Sequence, residues 1–302
     1  MNPILQNLLD NAGKSKDNSS APPFPLRIRA EAQDGPLPEE LCERQDIPYS
    51  DADSTLFADV VYPKRKESET LPIAVFVHGG ALVTGDRKSN RVFCQELAKK
   101  GFVVYSLDYR LLDKADAFGM ISDVCTGLAI VRKTAGEFGG DLMRVSLLAE
   151  SAGSFIALYA VAAEKSGALR SMLGVQKYGL KINHLVLISG LIYTVTNDPV
   201  AMVYRDALYG DRTEDSVFMR RLIPDKRRMI KLLPPVFLVS SRADFLRSHT
   251  IRFVKALKEN EHRYKGMYYS KGKDLTHAFP TLLPSLKQSA DVIDAISVFL
   301  RK

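Results

Sequence analysis

The hydrophobic residues of this chain fall into two alternating patterns: short, nearly unbroken apolar runs, and longer stretches in which apolar positions recur with a helical period. A short apolar run bounded by turn-forming residues is typical of a strand that is buried on both faces of a sheet. Such runs predict strands at residues 71–77, 102–107, 145–149, 184–188 and 236–239. A moderate alternation predicts an early strand at 55–62, and a last strand is predicted at 264–269.

Segments with a helical pattern separate these runs, and they predict helices at residues 88–100, 119–138, 152–165 and 285–301. Gly101 follows the first of these helices, and Gly139 and Gly140 end the second, because glycine commonly terminates helices. Strands that alternate with helices form a mostly parallel sheet with helices on both faces. The sequence therefore predicts an α/β fold.

Two parts of the chain break this alternation. Residues 1–25 are polar and carry Pro22, Pro23 and Pro25 near their end, which predicts a loose N-terminal arm. The long interval between the predicted strands at 184–188 and 236–239 has only weak helical patterns, and long insertions of this kind commonly form lids or binding walls. We expect an arm or cap segment at 1–45 and a main domain at 46–302, with a cap-like insertion at about 190–232.

The composition is that of a globular protein with one large core, since 46% of the 302 residues are hydrophobic. No apolar run approaches the roughly 18 residues that a membrane-spanning helix needs. The N-terminus also lacks the basic and apolar regions of a secretory signal. We therefore expect no stable membrane insertion.

The charge and the cysteines limit the kinds of partner and binding site that the sequence predicts. The formal net charge is +7, and the densest basic stretch, residues 220–231, predicts a solvated helix face, with an anion-binding or surface-binding patch as the alternative. No nucleic-acid-binding pattern accompanies it, so no nucleic-acid partner is expected. Cys42, Cys94 and Cys125 lie far apart and predict neither a disulfide framework nor a metal site, which suits a reducing cytoplasm.

The strongest local motif is the segment from Ala149 to Gly153, where a buried strand ends, Ser151 follows and a helix begins. This is the nucleophile elbow, usually written G-x-S-x-G, in which a serine occupies a strained turn at the carboxyl edge of a sheet. The residues two before and two after the serine must be small, and here they are Ala149 and Gly153. By itself the motif is also compatible with Ser151 as a helix N-cap.

A second motif, His78-Gly79-Gly80-Ala81, directly follows the predicted strand at 71–77. Acyl-transfer enzymes need backbone N–H groups aimed at the developing oxyanion, and glycine lets the backbone come close. We expect the N–H groups of Gly79, Gly80 and Ala152 to form the oxyanion hole. We expect His78 to orient this loop rather than to act as a base, and an ordinary turn is the alternative interpretation.

A nucleophilic serine needs a base and an acid, and the order along the chain selects both. His277 lies in the loop between the last predicted strand and the last helix, from which it can reach Ser151. Asp244 lies just past the strand at 236–239 and would fix the tautomer of the imidazole. Asp274 competes for the role of the acid, but it shares the loop of His277 and is poorly placed to orient it.

These motifs occur together in a chain that, from about residue 70 to 300, resembles the α/β-hydrolase superfamily and most closely the hormone-sensitive-lipase-like esterases. Four residues depart from the family pattern: Ala81 in the first motif, and Ala149, Glu150 and Ser154 around the nucleophile. The resemblance rests on His78-Gly79-Gly80, Asp108-Tyr109-Arg110-Leu111, Gly140-Asp141, Glu150-Ser151-Ala152-Gly153, Asp244-Phe245-Leu246 and His277-Ala278-Phe279.

The resemblance implies the α/β-hydrolase fold and a carboxylesterase that needs neither a cofactor nor a metal. We therefore expect a cytoplasmic serine hydrolase with the triad Ser151, His277 and Asp244, acting on small or short-acyl esters through an acyl-enzyme. Glu150 is expected to point away from the substrate into a structural hydrogen bond. An amide hydrolase of arylformamidase or peptidase type and a catalytically silent binding protein are the alternatives, and the oligomeric state is open, a homo-oligomer included.

Overall fold

The computed structural model describes residues 2–12, 30–50, 53–65, 68–272 and 274–302. Its strands are β1 (Leu41–Pro48), β2 (Phe57–Pro63), β3 (Leu71–Val77), β4 (Val103–Leu107), β5 (Gly140–Glu150), β6 (Ile182–Ile188), β7 (Val236–Ser241) and β8 (Tyr264–Tyr269). Its α-helices are α1 (Pro3–Ala12), α2 (Arg91–Lys99), α3 (Ala117–Thr134), α4 (Gly153–Lys165), α5 (Gly167–Leu173), α6 (Pro199–Tyr209), α7 (Ser216–Arg221), α8 (Arg227–Ile230), α9 (Arg247–Glu259), α10 (Phe279–Leu282) and α11 (Lys287–Leu300), with short 3₁₀ helices at Ala135–Phe138 and Gly210–Glu214.

The strands form one eight-stranded sheet in the order β1-β2-β4-β3-β5-β6-β7-β8. The six strands from β4 to β8 in this order are parallel, and β2 joins them antiparallel, as β1 joins β2. Because parallel strands end at the same edge, the turns after β3, β5 and β7 lie on one side of the sheet. The predicted α/β architecture with a mostly parallel sheet is confirmed.

The core lies on both faces of this sheet, which explains the unbroken apolar runs. All seven residues of β3 are buried. Successive side chains point to opposite faces of a strand, so Val75 and Val77 join the core on one face, while Ala74 and Phe76 join the core on the other. Helices must cover both faces, and the two apolar layers provide most of the stability of the fold.

The predicted bounds of β3 and β8 match the structure, and most of the other predicted elements differ at their ends. Strand β5 begins at Gly140 rather than at residue 145, because its first residues are half-buried or exposed and carry no apolar run. Strand β1 was not predicted, since it lies at the edge of the sheet and its side chains are mostly polar and partly exposed.

The N-terminal arm differs from the prediction in the part that the structure describes. Residues Pro3–Ala12 form the helix α1, and Leu5 and Leu8 are buried in the same apolar cluster as the core of the sheet. The prediction of a loose arm is therefore wrong for this segment, because two leucines three positions apart give the helix an apolar face. Residues 13–29 lie outside the described residues, and the division of the chain at residue 45 stays a prediction.

The interval between β6 and β7 contains α6, α7 and α8, and α6 and α7 pack on the main domain through aromatic residues. Phe118 of α3 contacts Tyr209 and Phe218, with ring centroids 6.1 and 5.9 Å apart. The basic stretch at 220–231 lies on this segment with its arginines exposed, and Arg228 donates a hydrogen bond to the carbonyl of Arg220. Among the helices of the described residues, none combines the length and the apolar character that a membrane span requires.

Candidate active site

Ser151 occupies the sharp turn between β5 and α4. Its φ angle is +46°, a left-handed conformation that non-glycine residues adopt rarely and at a cost in conformational energy. The turn is held on both sides, because Ser151 donates its N–H to Ile188 and accepts a 2.8 Å hydrogen bond from the N–H of Leu191. The strand-turn-helix geometry of the predicted nucleophile elbow is therefore present at Ser151.

The small residues around Ser151 are required by contact with β3. A Cβ atom at Gly153 would lie 2.4 Å from the carbonyl oxygen of His78 and 2.6 Å from that of Val77, closer than atoms can pack. Ala149 is fully buried and pairs with Val77 across the sheet. The start of α4 can therefore approach the end of β3 only because residue 153 has no side chain.

A continuous chain of hydrogen bonds joins three of the predicted site residues. His277 Nε2 lies 2.8 Å from Ser151 Oγ, and His277 Nδ1 lies 2.7 Å from Asp244 Oδ1. All three side chains are buried. Since an aspartate can only accept, Nδ1 carries the proton toward Asp244 and Nε2 faces the serine hydroxyl as an acceptor.

Asp244 is ionised in this arrangement. Burial pushes its pKa up, but hydrogen bonds from His277, from the N–H of Leu246 and from the hydroxyl of Ser240 outweigh burial, and the net pKa of Asp244 is lowered. The alternative acid, Asp274, is exposed, whereas Asp244 is buried against the imidazole. The geometry thus brings His277 together with Asp244.

Phe245, which sequence reasoning did not assign, packs against the imidazole. Its ring centroid lies 4.2 Å from that of His277, with an angle of 33° between the two planes. Phe245 directly follows Asp244, so the motif Asp244-Phe245-Leu246 contained this signal. The other histidines lie elsewhere: His184 contacts Ser146, His249 contacts Asp198 and His262 contacts the carbonyl of Pro234.

The loop after β3 brings its backbone against the serine. A Cβ atom at Gly79 would lie 2.9 Å from the Cβ of Ser151, so this backbone is in contact with the nucleophile. Gly80 has a φ of +98°, and a Cβ there would lie 1.9 Å from the carbonyl oxygen of Thr84. Ala81 follows with a φ of +55°, the conformation that favours the glycine found there in related motifs.

Backbone N–H groups are available beside Ser151. Among the hydrogen bonds of the described residues, the N–H groups of Gly79, Gly80 and Ala152 have no acceptor within the protein. Ala152 is the N-cap of α4, where the partial positive charge of the helix also favours an anion. These groups can therefore bind an oxyanion, which is the role predicted for them.

His78 supports this loop from beneath. It is buried, its Nδ1 donates to the carbonyl of Gly79, and its ring stacks on Tyr109 with centroids 4.3 Å apart. The hydroxyl of Tyr109 lies 3.1 Å from the carbonyl oxygens of both His78 and Gly79. Burial lowers the pKa of His78 to about 4, so the ring is neutral near pH 7 and shapes the loop.

The residues flanking Tyr109 have structural partners as well. Arg87 forms ion pairs with Asp108 and Asp59, each at 2.8 Å, and with Asp46. Arg110 pairs with Asp123 through two nitrogen atoms. The motif at residues 108–111 therefore anchors the loop after β4 and, through Tyr109, the loop that carries Gly79.

Comparison with known protein families shows to which family the chain belongs. The model of the family described as BD-FAE matches residues 58–247, more than half of the chain, including Ser151 and Asp244. The chain belongs to the BD-FAE family. The predicted resemblance to hormone-sensitive-lipase-like α/β-hydrolases is thereby confirmed.

Relatives of this BD-FAE protein carry esterase names. A probable isoprenylcysteine alpha-carbonyl methylesterase of Oryza sativa is 33% identical over 101 residues, which cover 33% of this chain and 24% of that protein. Esterase LipC of Mycobacterium tuberculosis is 32% identical over 118 residues, or 39% of this chain and 29% of that protein. The matches thus span about a quarter of the length of these relatives.

Solved structures extend the likeness over most of the BD-FAE protein. An inhibited form of esterase B from Lactobacillus rhamnosis has a TM-score of 0.79 and 25% identity, and the match covers 89% of each chain. An esterase from Pyrobaculum calidifontis has a TM-score of 0.67 at 21% identity, which shows the fold alone. The predicted ester hydrolase agrees with the name of esterase B.

Within the described ranges of the BD-FAE protein, no group of three or more histidine, cysteine or acidic side chains is placed to hold a metal ion. The three cysteines are unpaired with one another, and Cys94 and Cys125 are buried. That the protein works without a cofactor stays a prediction.

The contact at Gly153 gives a testable prediction for both stability and reactivity. Gly153→Ala is expected to lower the free energy of unfolding by about 1–3 kcal/mol, as other overpacked positions do, because the new methyl group meets two carbonyl oxygens. It should also slow labelling of Ser151 by a fluorophosphonate, since α4 must shift. Chemical denaturation and the labelling rate measure these effects.

Gly136→Ala is the matched control, because a Cβ at Gly136 meets nothing within 4 Å. The control should keep the labelling rate and change the stability by less than about 0.5 kcal/mol. Equal behaviour of the two variants would contradict the contact inferred at Gly153.

Proposed function

We propose that this protein is a serine carboxylester hydrolase that acts on small, short-acyl esters. The observation that carries the proposal is the unbroken chain of hydrogen bonds from Asp244 through His277 to Ser151, beside free N–H groups in the loop after β3. A nucleophile, a base and an acid in this order are the parts that nucleophilic acyl transfer needs.

In the proposed acylation step, Ser151 Oγ attacks the carbonyl carbon of the ester, and His277 Nε2 takes the hydroxyl proton. Asp244 stabilises the imidazolium that forms and keeps its Nδ1 proton directed away from the serine. His277 then gives the proton to the leaving alcohol as the carbon–oxygen bond breaks, which leaves an acyl group on Ser151.

Deacylation reverses these roles. A water molecule takes the place of the alcohol, loses a proton to His277 Nε2 and attacks the acyl-enzyme. The proton returns to Ser151 as the carboxylic acid leaves. In both steps the N–H groups of Gly79, Gly80 and Ala152 would stabilise the oxyanion, and the left-handed turn at Ser151 would keep its hydroxyl toward them.

The proposal for short acyl groups has two supports. Esterase B, which is 26% identical with a TM-score of 0.77, has also been solved with a C4-C4 tributyrin phosphonate, and the Oryza relative is named a methylesterase. The cap-like insertion of this chain is rich in exposed charged residues. A lipase that binds a lipid interface normally presents an extended apolar surface instead.

The first prediction concerns the nucleophile. Ser151→Ala is expected to lower kcat on p-nitrophenyl acetate by about 10³-fold or more, since no other group can form the acyl-enzyme. Ser297→Ala is the matched control, since it changes a buried serine on α11 whose hydroxyl donates to a carbonyl of its own helix. Near-normal turnover by the Ser151 variant would refute the proposal.

The second prediction concerns acyl length. On a panel of soluble esters with graded acyl chains, kcat/KM should be highest for short chains, and it should exceed turnover of emulsified long-chain triglyceride. Matched amides assayed beside the esters test the alternative of an amide hydrolase. Greater activity on the triglyceride would contradict the preference for short chains, and greater activity on the amides would contradict ester hydrolysis as the main reaction.

The third prediction concerns the acid. Asp244→Asn should lower kcat by up to about 10⁴-fold, because an amide at this position permits the wrong tautomer of His277. Asp274→Asn is the matched control: its side chain is exposed, and we expect kcat within about twofold of the wild type. Both variants are assayed on one soluble ester, with folding checked by circular dichroism, and the reverse outcome would reassign the acid to Asp274.

A further inference from the structure

Glu150, the residue directly before Ser151, carries an ionisable side chain in a place that water does not reach. Only 4% of the residue is exposed. Its Oε2 accepts a 2.7 Å hydrogen bond from Asn90 Nδ2 and contacts the hydroxyl of Thr281. The proposed reaction gives this carboxyl group no role, although burying it is costly.

These contacts join three elements of the site. Asn90 is the N-cap of α2, Glu150 ends β5, and Thr281 lies in α10, four residues after His277. Thr281 Oγ1 also lies 2.9 Å from the carbonyl oxygen of Ala278, whose φ is +53°. Glu150 therefore connects the turn that carries the serine to the left-handed turn that carries the histidine.

The number of protons available limits how these groups can bond. A threonine hydroxyl has one proton, and Thr281 lies within hydrogen-bond distance of two oxygens, those of Ala278 and Glu150. When Thr281 donates to Ala278, its contact with Glu150 needs a proton on the carboxyl group. Burial raises the pKa of Glu150, with Thr281, His277 and Asn90 offsetting this only in part, which shifts the carboxyl group toward its protonated form.

The position of the carboxyl group also favours its protonated, uncharged form. Glu150 Oε1 lies 2.5 Å from the position that a Cβ of Gly79 would occupy, so it borders the loop proposed to bind the oxyanion. A second negative charge there would repel the oxyanion, because charges interact strongly at sites that exclude water. An uncharged carboxyl group can hold the loops together without opposing the reaction.

We propose that Glu150 is a positioning residue that works in its uncharged form, and that it holds the histidine loop to the serine turn through Thr281. This inference rests on the proposed function, since the reaction it serves is ester hydrolysis at Ser151. Glutamine has the shape and the hydrogen-bonding groups of a protonated glutamate, so it should replace Glu150, whereas alanine should not.

The experiment compares four variants with the wild type on one soluble short-acyl ester. They are Glu150→Gln, Glu150→Ala, Thr281→Val and Thr281→Ser. Thr134→Val is the matched control, because its hydroxyl bonds to Tyr105 and to a carbonyl of its own helix. Turnover is expressed per serine labelled by a fluorophosphonate at the end point, so that a variant that merely folds less well loses labelled protein but keeps its kcat.

We expect Glu150→Gln, Thr281→Ser and the control to keep kcat within about threefold of the wild type. Glu150→Ala and Thr281→Val should lose about tenfold or more in kcat with little change in KM, because small displacements of a catalytic group are costly. If Glu150→Ala does not fold, the pair of Thr281 variants still tests the inference.

Two outcomes would overturn this inference alone. Normal kcat in Thr281→Val would exclude the positioning role, and an equally severe loss in Glu150→Gln and Glu150→Ala would show that a negative charge is needed instead. By contrast, a wild-type protein that hydrolyses no ester would overturn the proposed function and, with it, this inference.

Discussion

The site depends on one close contact, the approach of the start of α4 to the end of β3. Gly153 lies against the carbonyl oxygens of Val77 and His78, and this contact fixes the turn before it. Ser151 is thereby held at a φ of +46°, a strained conformation that persists because hydrogen bonds to Ile188 and Leu191 hold the turn on both sides. The same contact brings Gly79 against the serine, so the nucleophile and the N–H groups beside it have one structural cause.

Parallel pairing extends this arrangement to residues that are distant in sequence. Ser151 and His277 are 126 positions apart, yet their side chains meet because β5, β6, β7 and β8 are neighbours that end at the same edge. Each of these strands is followed by a loop at that edge. Short contacts between the loops set the distances between the side chains that they carry. The sheet therefore determines which residues can meet, and the loop contacts determine whether they meet within hydrogen-bond distance.

This division explains what could be predicted from the sequence. Strand β3 and the order of Ser151, Asp244 and His277 have local signals: an apolar run, small residues around a serine, and loops that follow strands. Strand β1 was missed because its mostly polar, partly exposed side chains give no apolar run. Helix α1 was missed because the residues that bury Leu5 and Leu8 are distant in sequence. The hydrogen-bond partners of Glu150 were also missed, because Thr281 lies 131 positions away and no pattern in the sequence indicates this contact.

The two buried carboxyl groups show how their surroundings shift the pKa values of similar groups in opposite directions. Asp244 accepts hydrogen bonds from His277, from a backbone N–H and from Ser240, and these donors lower its pKa despite burial. Glu150 has Asn90 and a hydroxyl whose only proton is shared with Ala278, so burial prevails and its pKa rises. A charge beside His277 stabilises an imidazolium, whereas a charge beside Gly79 would oppose an oxyanion. Asp244, which has more hydrogen-bond donors around it, therefore lies where the proposed reaction would develop a positive charge. Glu150, which has fewer donors, lies where the reaction would develop a negative charge.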